Sequence, residues 1–130
     1  MAVNLDSYFG IHAKALIIRD QRASQLANNI ANADTPNYKA QDVEFKEALR
    51  EVVTGPTERL VTTDPDHIRI SAPMTVPLKF RVPQQVSLDG NTVDKDVETT
   101  QYVDNSLAYQ ATLSFLNSKI LQMRSAIKGE

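Results

Sequence analysis

Two heptad stripes, one at each end of the chain with every proline between them, most constrain the fold. The N-terminal stripe runs from Leu5 to Ala33 and the C-terminal stripe from Tyr102 to Ile127, both with 4-3 spacing. Residues at this spacing share one side of a helix, and an apolar side needs a facing helix to cover it. The six prolines lie between positions 36 and 83, where they exclude a long helix. The sequence therefore predicts two terminal helices and an extended insert.

We predict a mainly α fold in which the two long terminal helices pack as an antiparallel, coiled-coil-like pair, with an irregular, β-containing insert between them. The expected division places the first helix in residues 1–34, the insert in 35–93 and the second helix in 94–130. The residues expected to form the intrachain coil are Leu16, Ala23, Leu26, Leu113, Leu116, Ile120 and Met123.

The insert begins with an amphipathic segment at 42–53, whose type its pattern leaves open. Extended pieces are expected at 59–63, 67–70 and 78–82, restricted to edges or short hairpins by the prolines around them. An Asp-Gly-Asn turn at 89–91 then leads into the second helix, whose first turns are acidic, as the helix dipole favours.

Composition excludes several classes of function. The net charge is −2 and the basic residues are scattered, which argues against nucleic-acid binding. The absence of cysteine excludes disulfides, thiolate metal sites and a cysteine nucleophile. The start of the sequence lacks a basic segment followed by an apolar one, so we expect no cleaved signal peptide. The longest apolar run near it, residues 15–18, is too short to span a bilayer.

No catalytic, cofactor-binding or metal-binding residue is predicted. The acidic run at 94–98 fails as a calcium loop, because its sixth and twelfth positions would be Thr99 and Asn105 instead of Gly and Glu. The two histidines, His12 and His67, lie in no recognisable catalytic context. A small hydrolase is the least favoured of the functions considered, and we predict that the chain is not an enzyme.

An asparagine-rich segment closes the first helix, with Asn28, Asn29 and Asn32 in one helical stretch. Asn28 and Asn32 are one turn apart, so their amides share a face and could fix the register of an apolar contact. The alternative is a fraying helix end, where asparagine is common. Sequence physics leaves both interpretations open.

The run from Asn28 to Tyr38, Asn-Asn-Ile-Ala-Asn-Ala-Asp-Thr-Pro-Asn-Tyr, resembles the N-terminal signature of the bacterial flagellar rod and hook axial protein family. The stretches at 88–98 and 104–110 are similar to those of the proximal rod proteins within that family. The likeness covers both ends and the overall length of the chain, and residues 50–85 carry no matching signature.

The resemblance implies a structural subunit that assembles into a helical, torque-transmitting tube in the periplasmic part of the basal body. It implies export by the flagellar type III apparatus without a cleaved signal. The implied partners are other rod subunits and the hook–basal body junction protein FliE. Phe45 and Leu49 are similar to a short pattern for docking at the export gate, although they would also be ordinary packing partners in any helix.

Apolar residues that flank each stripe support assembly independently of the resemblance, since a lone hairpin would leave them in water. The alternatives are an insert that folds back over these flanks in a monomer, and a soluble coiled-coil adaptor or regulator of fixed oligomeric state. The candidate subunit-interface residues are Asn28, Asn29, Ile30, Asn32, Tyr38, Leu107, Ala111 and Phe115.

Overall fold

Two long helices and a small antiparallel sheet dominate the part of the chain that a computed structural model describes, residues 5–54, 76–83 and 87–129. The elements are, in order, α1 (Leu5–Ala31), β1 (Gln41–Val43), α2 (Phe45–Thr54), β2 (Leu78–Phe80) and α3 (Lys95–Lys128). In α1, side chains are described from Tyr8 onward. The predicted mainly α fold, with its pair of long helices and β-containing insert, is confirmed.

Helix α1 is interrupted at Gly10, although the sequence predicts a continuous helix over 5–33. Gly10 has φ 39° and ψ −118°, a conformation open to glycine because it lacks a Cβ atom. Apart from the neighbouring residues and the local helix backbone, no atom lies within 4 Å of the position that a Cβ atom would occupy. Glycine is therefore required by the backbone conformation and not by a lack of space. The heptad spacing of the sequence therefore continues across a point where the helix does not.

Helix α3 lies close to its predicted limits and is capped at both ends. The Asp94 carboxylate accepts hydrogen bonds from the backbone N–H groups of Asp96 (3.1 Å) and Val97 (3.3 Å), which satisfies donors that the first turn leaves unpaired. At the other end Gly129 adopts φ 76° and donates its N–H to Ser125 O at 2.9 Å. A left-handed glycine at this position is a common helix stop.

The strands pair antiparallel, with Asp42 opposite Lys79 at the centre of the register. The segment 42–53 divides at Glu44, so that its first residues belong to β1 and the rest to α2. Strand β2 lies within the predicted extended piece at 78–82. The extended pieces predicted at 59–63 and 67–70 lie outside the described residues.

The apolar core lies where α1 meets α2 and the sheet. Its buried members are Ile18, Val43, Ala48 and Val76, and the partly buried residues packed against them are Phe45, Leu49 and Val52. Helix α2 turns its apolar side to this core because Phe45, Leu49 and Val52 recur at helical spacing. The main apolar cluster is therefore on one side of α1, and α3 packs on another side of the same helix.

Candidate functional site

The contact between α1 and α3 is antiparallel and contains several polar pairs. Partner numbers on α3 fall as those on α1 rise: Tyr8 meets Lys119, His12 meets Phe115, Arg19 meets Asn105, Arg22 meets Gln101 and Asn29 meets Glu98. On each helix these positions fit a heptad repeat. The intrachain seam therefore has coiled-coil periodicity and includes several hydrogen bonds, while buried Ala15 and Leu26 occupy the same heptad positions of α1.

On α3 this seam lies one residue before the predicted stripe, at Gln101 and Asn105 instead of the residues that follow them. Two of the α3 residues expected in the intrachain coil, Leu113 and Ile120, are exposed, and two others, Leu116 and Met123, are partly buried. On α1, Leu26 is buried, while Leu16 and Ala23 are partly buried. The displacement has a physical cause: Glu98, Gln101 and Asn105 each find a polar partner on α1. The pairing is incomplete, because Asn105 Oδ1 and Arg19 Nε are buried without a hydrogen-bond partner among the described residues.

Four charged side chains, one each from α1, β1 and α3 and one from the residue after β2, form a cluster beside this seam. Arg22 of α1 donates from Nε and Nη2 to the two carboxylate oxygens of Asp42 at 2.9 and 2.8 Å. Arg81, just after β2, donates to Asp42 and to Glu98 of α3, both at 2.6 Å. Gln101 Oε1 accepts from both guanidinium groups, at 2.7 and 3.0 Å. The cluster thus contains two positive and two negative side chains and ties the sheet to both long helices.

The Asp42 carboxyl is held ionised by this arrangement. Burial alone would raise its pKa, but the hydrogen bonds and positive charge of Arg22, the Arg81 guanidinium and the backbone N–H of Val43 outweigh burial and hold the pKa below its usual value. The bond to Asp42 correspondingly raises the pKa of Arg22. The Arg22–Asp42 pair is therefore ionised at neutral pH.

Asn29 is the most connected amide of the asparagine-rich segment. Its side chain is 0% exposed, and its Nδ2 donates to Gln41 O (2.7 Å) and Glu98 Oε2 (3.1 Å). Its Oδ1 accepts from Gln25 Nε2, the Tyr38 hydroxyl and Gln41 N at 3.2 to 3.3 Å. Although it was predicted at a subunit interface, Asn29 therefore uses its polar atoms within the chain, where it fixes β1 against α1 and α3.

Asn91 caps the end of α1 from across the chain, a role that the sequence analysis missed. Its Nδ2 donates to the carbonyl oxygens of Asn32, Ala33 and Thr35 at 3.0, 2.7 and 3.0 Å. Its Oδ1 accepts from Val93 N at 2.8 Å, so the side chain is buried with both polar atoms bonded. Neighbouring Gly90 has φ 75°, and a Cβ there would stand 2.5 Å from Asn37 Oδ1. The Asp-Gly-Asn turn thus locks the start of α3 to the end of α1.

Helix α3 exposes large apolar side chains on the side that points away from α1. We call this the outer face of α3; its apolar residues are Val103, Leu107, Leu113, Ile120, Leu121 and Ile127, which are between 45% and 78% exposed. Their heptad positions lie opposite those that contact α1. Large apolar side chains exposed together on one side of a helix mark sites of protein interaction, and here they alternate with exposed polar residues such as Gln110 and Asn117.

The other residues predicted at a subunit interface fall into two groups. Leu107, Ala111 and Phe115 on α3 and Asn28 on α1 are exposed, with Phe115 also lying 6.1 Å from the His12 ring. Ile30, Asn32 and Tyr38 are partly buried, and the Asn32 amide donates back to Asn28 O at 2.8 Å.

Phe45 and Leu49, the residues with a predicted role in export-gate docking, face the apolar core from α2. The Arg19 guanidinium lies 4.0 Å from the centre of the Phe45 ring, as in a cation–π contact. In the folded chain both side chains are therefore engaged in packing.

Catalytic and metal chemistry find no support in the described part of the chain. There, no group of three or more His, Asp or Glu side chains could hold a metal ion. Asp94 and Glu98, from the acidic run, serve in the α3 cap and in the charged cluster. His67 lies outside the described residues. None of the helices in the described ranges is long and apolar enough to cross a membrane.

Comparison with known proteins adds to this geometry. A family model described as "Flagella basal body rod protein" matches residues 9–39, which include the asparagine-rich segment. The flagellar basal body rod protein FlgB of Aeromonas hydrophila is 44% identical over 131 residues, covering 100% of this chain and 99% of that protein. FlgB of Escherichia coli K12 is 43% identical over 136 residues, with 99% of each chain covered. FlgB of Cereibacter sphaeroides is 42% identical over 122 residues, with 93% and 94% covered.

Proposed function

Because this chain belongs to the FlgB family of flagellar basal body rod proteins, structural subunits that work with other rod components, we propose that it assembles through the outer face of α3. We further propose that the subunit joins a helical tube in the periplasm, where it transmits torque by packing. In this proposal it also contacts the junction protein FliE and is exported by the flagellar type III apparatus without a cleaved signal.

The observation that carries the assembly proposal is the separation of polar and apolar contacts on α3. The side toward α1 buries Glu98 and Asn105 in hydrogen bonds, while the side away from it leaves large apolar residues in water. Covering a half-exposed Leu or Ile contributes about 1 kcal/mol, so the outer face offers several kcal/mol to a neighbouring helix. Contacts between unlike surfaces that do not close produce helical assemblies such as a rod.

Docking of Phe45 and Leu49 at the export gate would require the chain to be at least locally unfolded. Both side chains pack against the apolar core of the folded protein, where Arg19 also covers the Phe45 ring. The proposal that the chain is exported unfolded meets this requirement, since unfolding exposes both side chains together.

Photocrosslinking in motile cells tests the assembly proposal. A strain that lacks its own copy would produce this chain with a photoreactive residue at Leu107 on the outer face, or at exposed Lys46 on α2 as the matched control. We expect adducts of the Leu107 probe with rod subunits, with FliE among the partners identified. If the Leu107 probe gives no intermolecular adduct in motile cells, the proposal that the chain assembles through this face is wrong. If adducts form but none contains FliE, only the proposal that FliE is a partner is wrong.

A double substitution of Phe45→Ala with Leu49→Ala tests gate docking. Because these residues also pack in the core, stability of the purified variant is compared with that of Ala48→Gly, which weakens the same helix without touching the pair. Loss of secretion by the double variant but not by an equally destabilised Ala48→Gly supports docking. Equal secretion by both variants would overturn it.

A further inference from the structure

Arg19 is a partly buried cation that has no anion to balance it in the described part of the chain. Its guanidinium lies on the Phe45 ring, 4.0 Å from the ring centre, and its backbone oxygen accepts a hydrogen bond from Asn105 Nδ2 at 2.9 Å. Residues of α1, α2 and α3 therefore meet at this side chain. Within the described ranges its Nε is buried without a hydrogen-bond partner.

The two guanidinium groups of the charged cluster show what Arg19 lacks. Arg22 pairs with Asp42, and Arg81 pairs with Asp42 and with Glu98. The cluster is therefore balanced in charge without Arg19. Burial and the positive charge of Arg22 hold the pKa of Arg19 below its usual value, although a guanidinium stays charged in a protein. The folded subunit thus keeps an unbalanced positive charge in an unfavourable environment.

The chemistry of Arg19 favours a carboxylate as the missing partner. Contact with Phe45 offsets only part of the cost of burial, since a cation–π contact is weaker than a buried ion pair with good hydrogen bonds. The ring also restrains the plane of the guanidinium, and a restrained planar group matches the two oxygens of a carboxylate. The alternative is a bond within the chain to Asn105 Oδ1, the other buried atom that has no partner among the described residues.

We propose that Arg19 binds the carboxylate of an Asp or Glu side chain from a neighbouring rod subunit. This inference rests on the proposed assembly function and adds to it a contact where α1, α2 and α3 meet, away from the outer face of α3. A free anion would give up its hydration for a single guanidinium, whereas the rest of a subunit contact holds a partner's side chain at a high local concentration. The site therefore favours a carboxylate that belongs to a protein.

Replacement of Arg19 by methionine separates this role from a structural one. Methionine keeps an apolar side chain on the Phe45 ring and removes the unbalanced charge, so the Tm of purified Arg19→Met should stay the same or rise. The matched control is Arg22→Met on the next turn of α1, which breaks an ion pair within the chain and should lower Tm by roughly 5 °C. In cells that lack their own copy, incorporation of Arg19→Met into basal bodies should nevertheless fall at least about tenfold.

Two results would overturn the proposal. A fall in the Tm of Arg19→Met like that of Arg22→Met would show that the Arg19 guanidinium is satisfied within the chain, for example by Asn105 Oδ1. Normal incorporation of Arg19→Met into basal bodies would show that no partner needs this charge. If sodium sulfate then raises the Tm of the native chain, but not that of Arg19→Met, above its value in NaCl of equal ionic strength, the ligand is a free anion.

Zero-length coupling identifies the carboxylate. Arg19→Lys places an amine at this position, and a carbodiimide joins an amine to a carboxylate in contact with it as an amide, while the carbodiimide takes up the lost water as a urea. Basal bodies from cells that produce this variant beside the native chain would be treated, and products larger than one subunit analysed by mass spectrometry. We expect a link from position 19 to an Asp or Glu of another subunit, above the background given by exposed Lys46.

The remaining outcomes of the coupling experiment also decide the matter. An incorporated Arg19→Lys chain that gives no such link, or a link only within its own chain, would overturn the proposal. Exclusion of a stably folded Arg19→Lys chain from basal bodies would support it, as exclusion of Arg19→Met does. If Arg19→Met is incorporated normally while the Leu107 probe still forms adducts, only the Arg19 contact is wrong. If the native chain fails to restore motility, the proposed function itself is wrong.

Discussion

Breaking the contact between Glu98 and Arg81 should strongly destabilise the folded chain. Glu98 is 0% exposed, and its Oε1 accepts from Arg81 at 2.6 Å while its Oε2 accepts from Asn29 at 3.1 Å. Removing one partner of a buried ion pair costs about 3–5 kcal/mol. Glu98→Ala belongs at the low end, about 3 kcal/mol, because Arg81 keeps its bond to Asp42. For a chain of this size that loss lowers Tm by roughly 10 °C.

A double-mutant cycle isolates the contact from these other effects. Urea unfolding of the native chain, Glu98→Ala, Arg81→Ala and the double variant, followed by circular dichroism, should give a coupling of about 2 kcal/mol, as for a charge-assisted bond. The matched control is the cycle between Lys79 and Glu47, an exposed ion pair of the same sheet region, which should show no comparable coupling. A Glu98–Arg81 coupling below about 0.5 kcal/mol, the range of surface pairs, would refute the view that this cluster joins the sheet to the helices.

Three further predictions concern the turn before α3 and the charged cluster. Gly90→Ala should destabilise the chain by at least about 1–2 kcal/mol, because φ is 75° and the added Cβ would meet Asn37 Oδ1. Gly129→Ala is the control, since the space around Gly129 is open, and it should lower stability less when both variants are compared by thermal unfolding. Asn91→Ala should cost about 1–3 kcal/mol and raise amide exchange at the end of α1, whose carbonyl groups it leaves uncapped; unchanged exchange there would contradict the capping role. Folding lowers the pKa of Asp42, so its contribution to stability is present above the unfolded pKa of about 3.9 and is lost as pH falls below that value. Asp42→Asn should therefore flatten the acid limb of the curve of unfolding free energy against pH. An unchanged acid limb would be evidence against this role of Asp42.

Much of the helical framework could be predicted because its signals are local. Pro36 follows closely after the end of α1, and Asp94 and Gly129 cap α3 through bonds to backbone groups a few residues away. The secondary structure of the 42–53 segment was ambiguous in the sequence because its first residues belong to β1 and the rest form α2. The interruption at Gly10 escaped prediction because the heptad pattern continues through it, and side-chain periodicity carries no information on a single backbone φ.

The charged cluster could not be predicted, because its pairing depends on the tertiary fold. Arg22, Asp42, Arg81 and Glu98 are scattered along the sequence, and each alone resembles an ordinary surface charge. Asn91 likewise gave the signal of a turn, while the carbonyl groups that it caps belong to residues near position 33. The Asn29 amide was recognised as unusual, but the sequence offered no means of telling a bond within the chain from one between subunits.

The heptad stripe of α3 shows most clearly what apolar periodicity can and cannot determine. It identifies a face that needs covering, but not which helix covers it, because apolar contacts are non-directional. The seam with α1 is instead selected by hydrogen bonds such as Asn105 Nδ2 to Arg19 O at 2.9 Å, which require one partner in one register. The outer face keeps exposed apolar residues such as Leu107 and Leu121 beside exposed polar residues such as Gln110 and Asn117. The apolar side chains alone do not single out one partner helix, so specificity at this face has to come from the polar and charged residues around them.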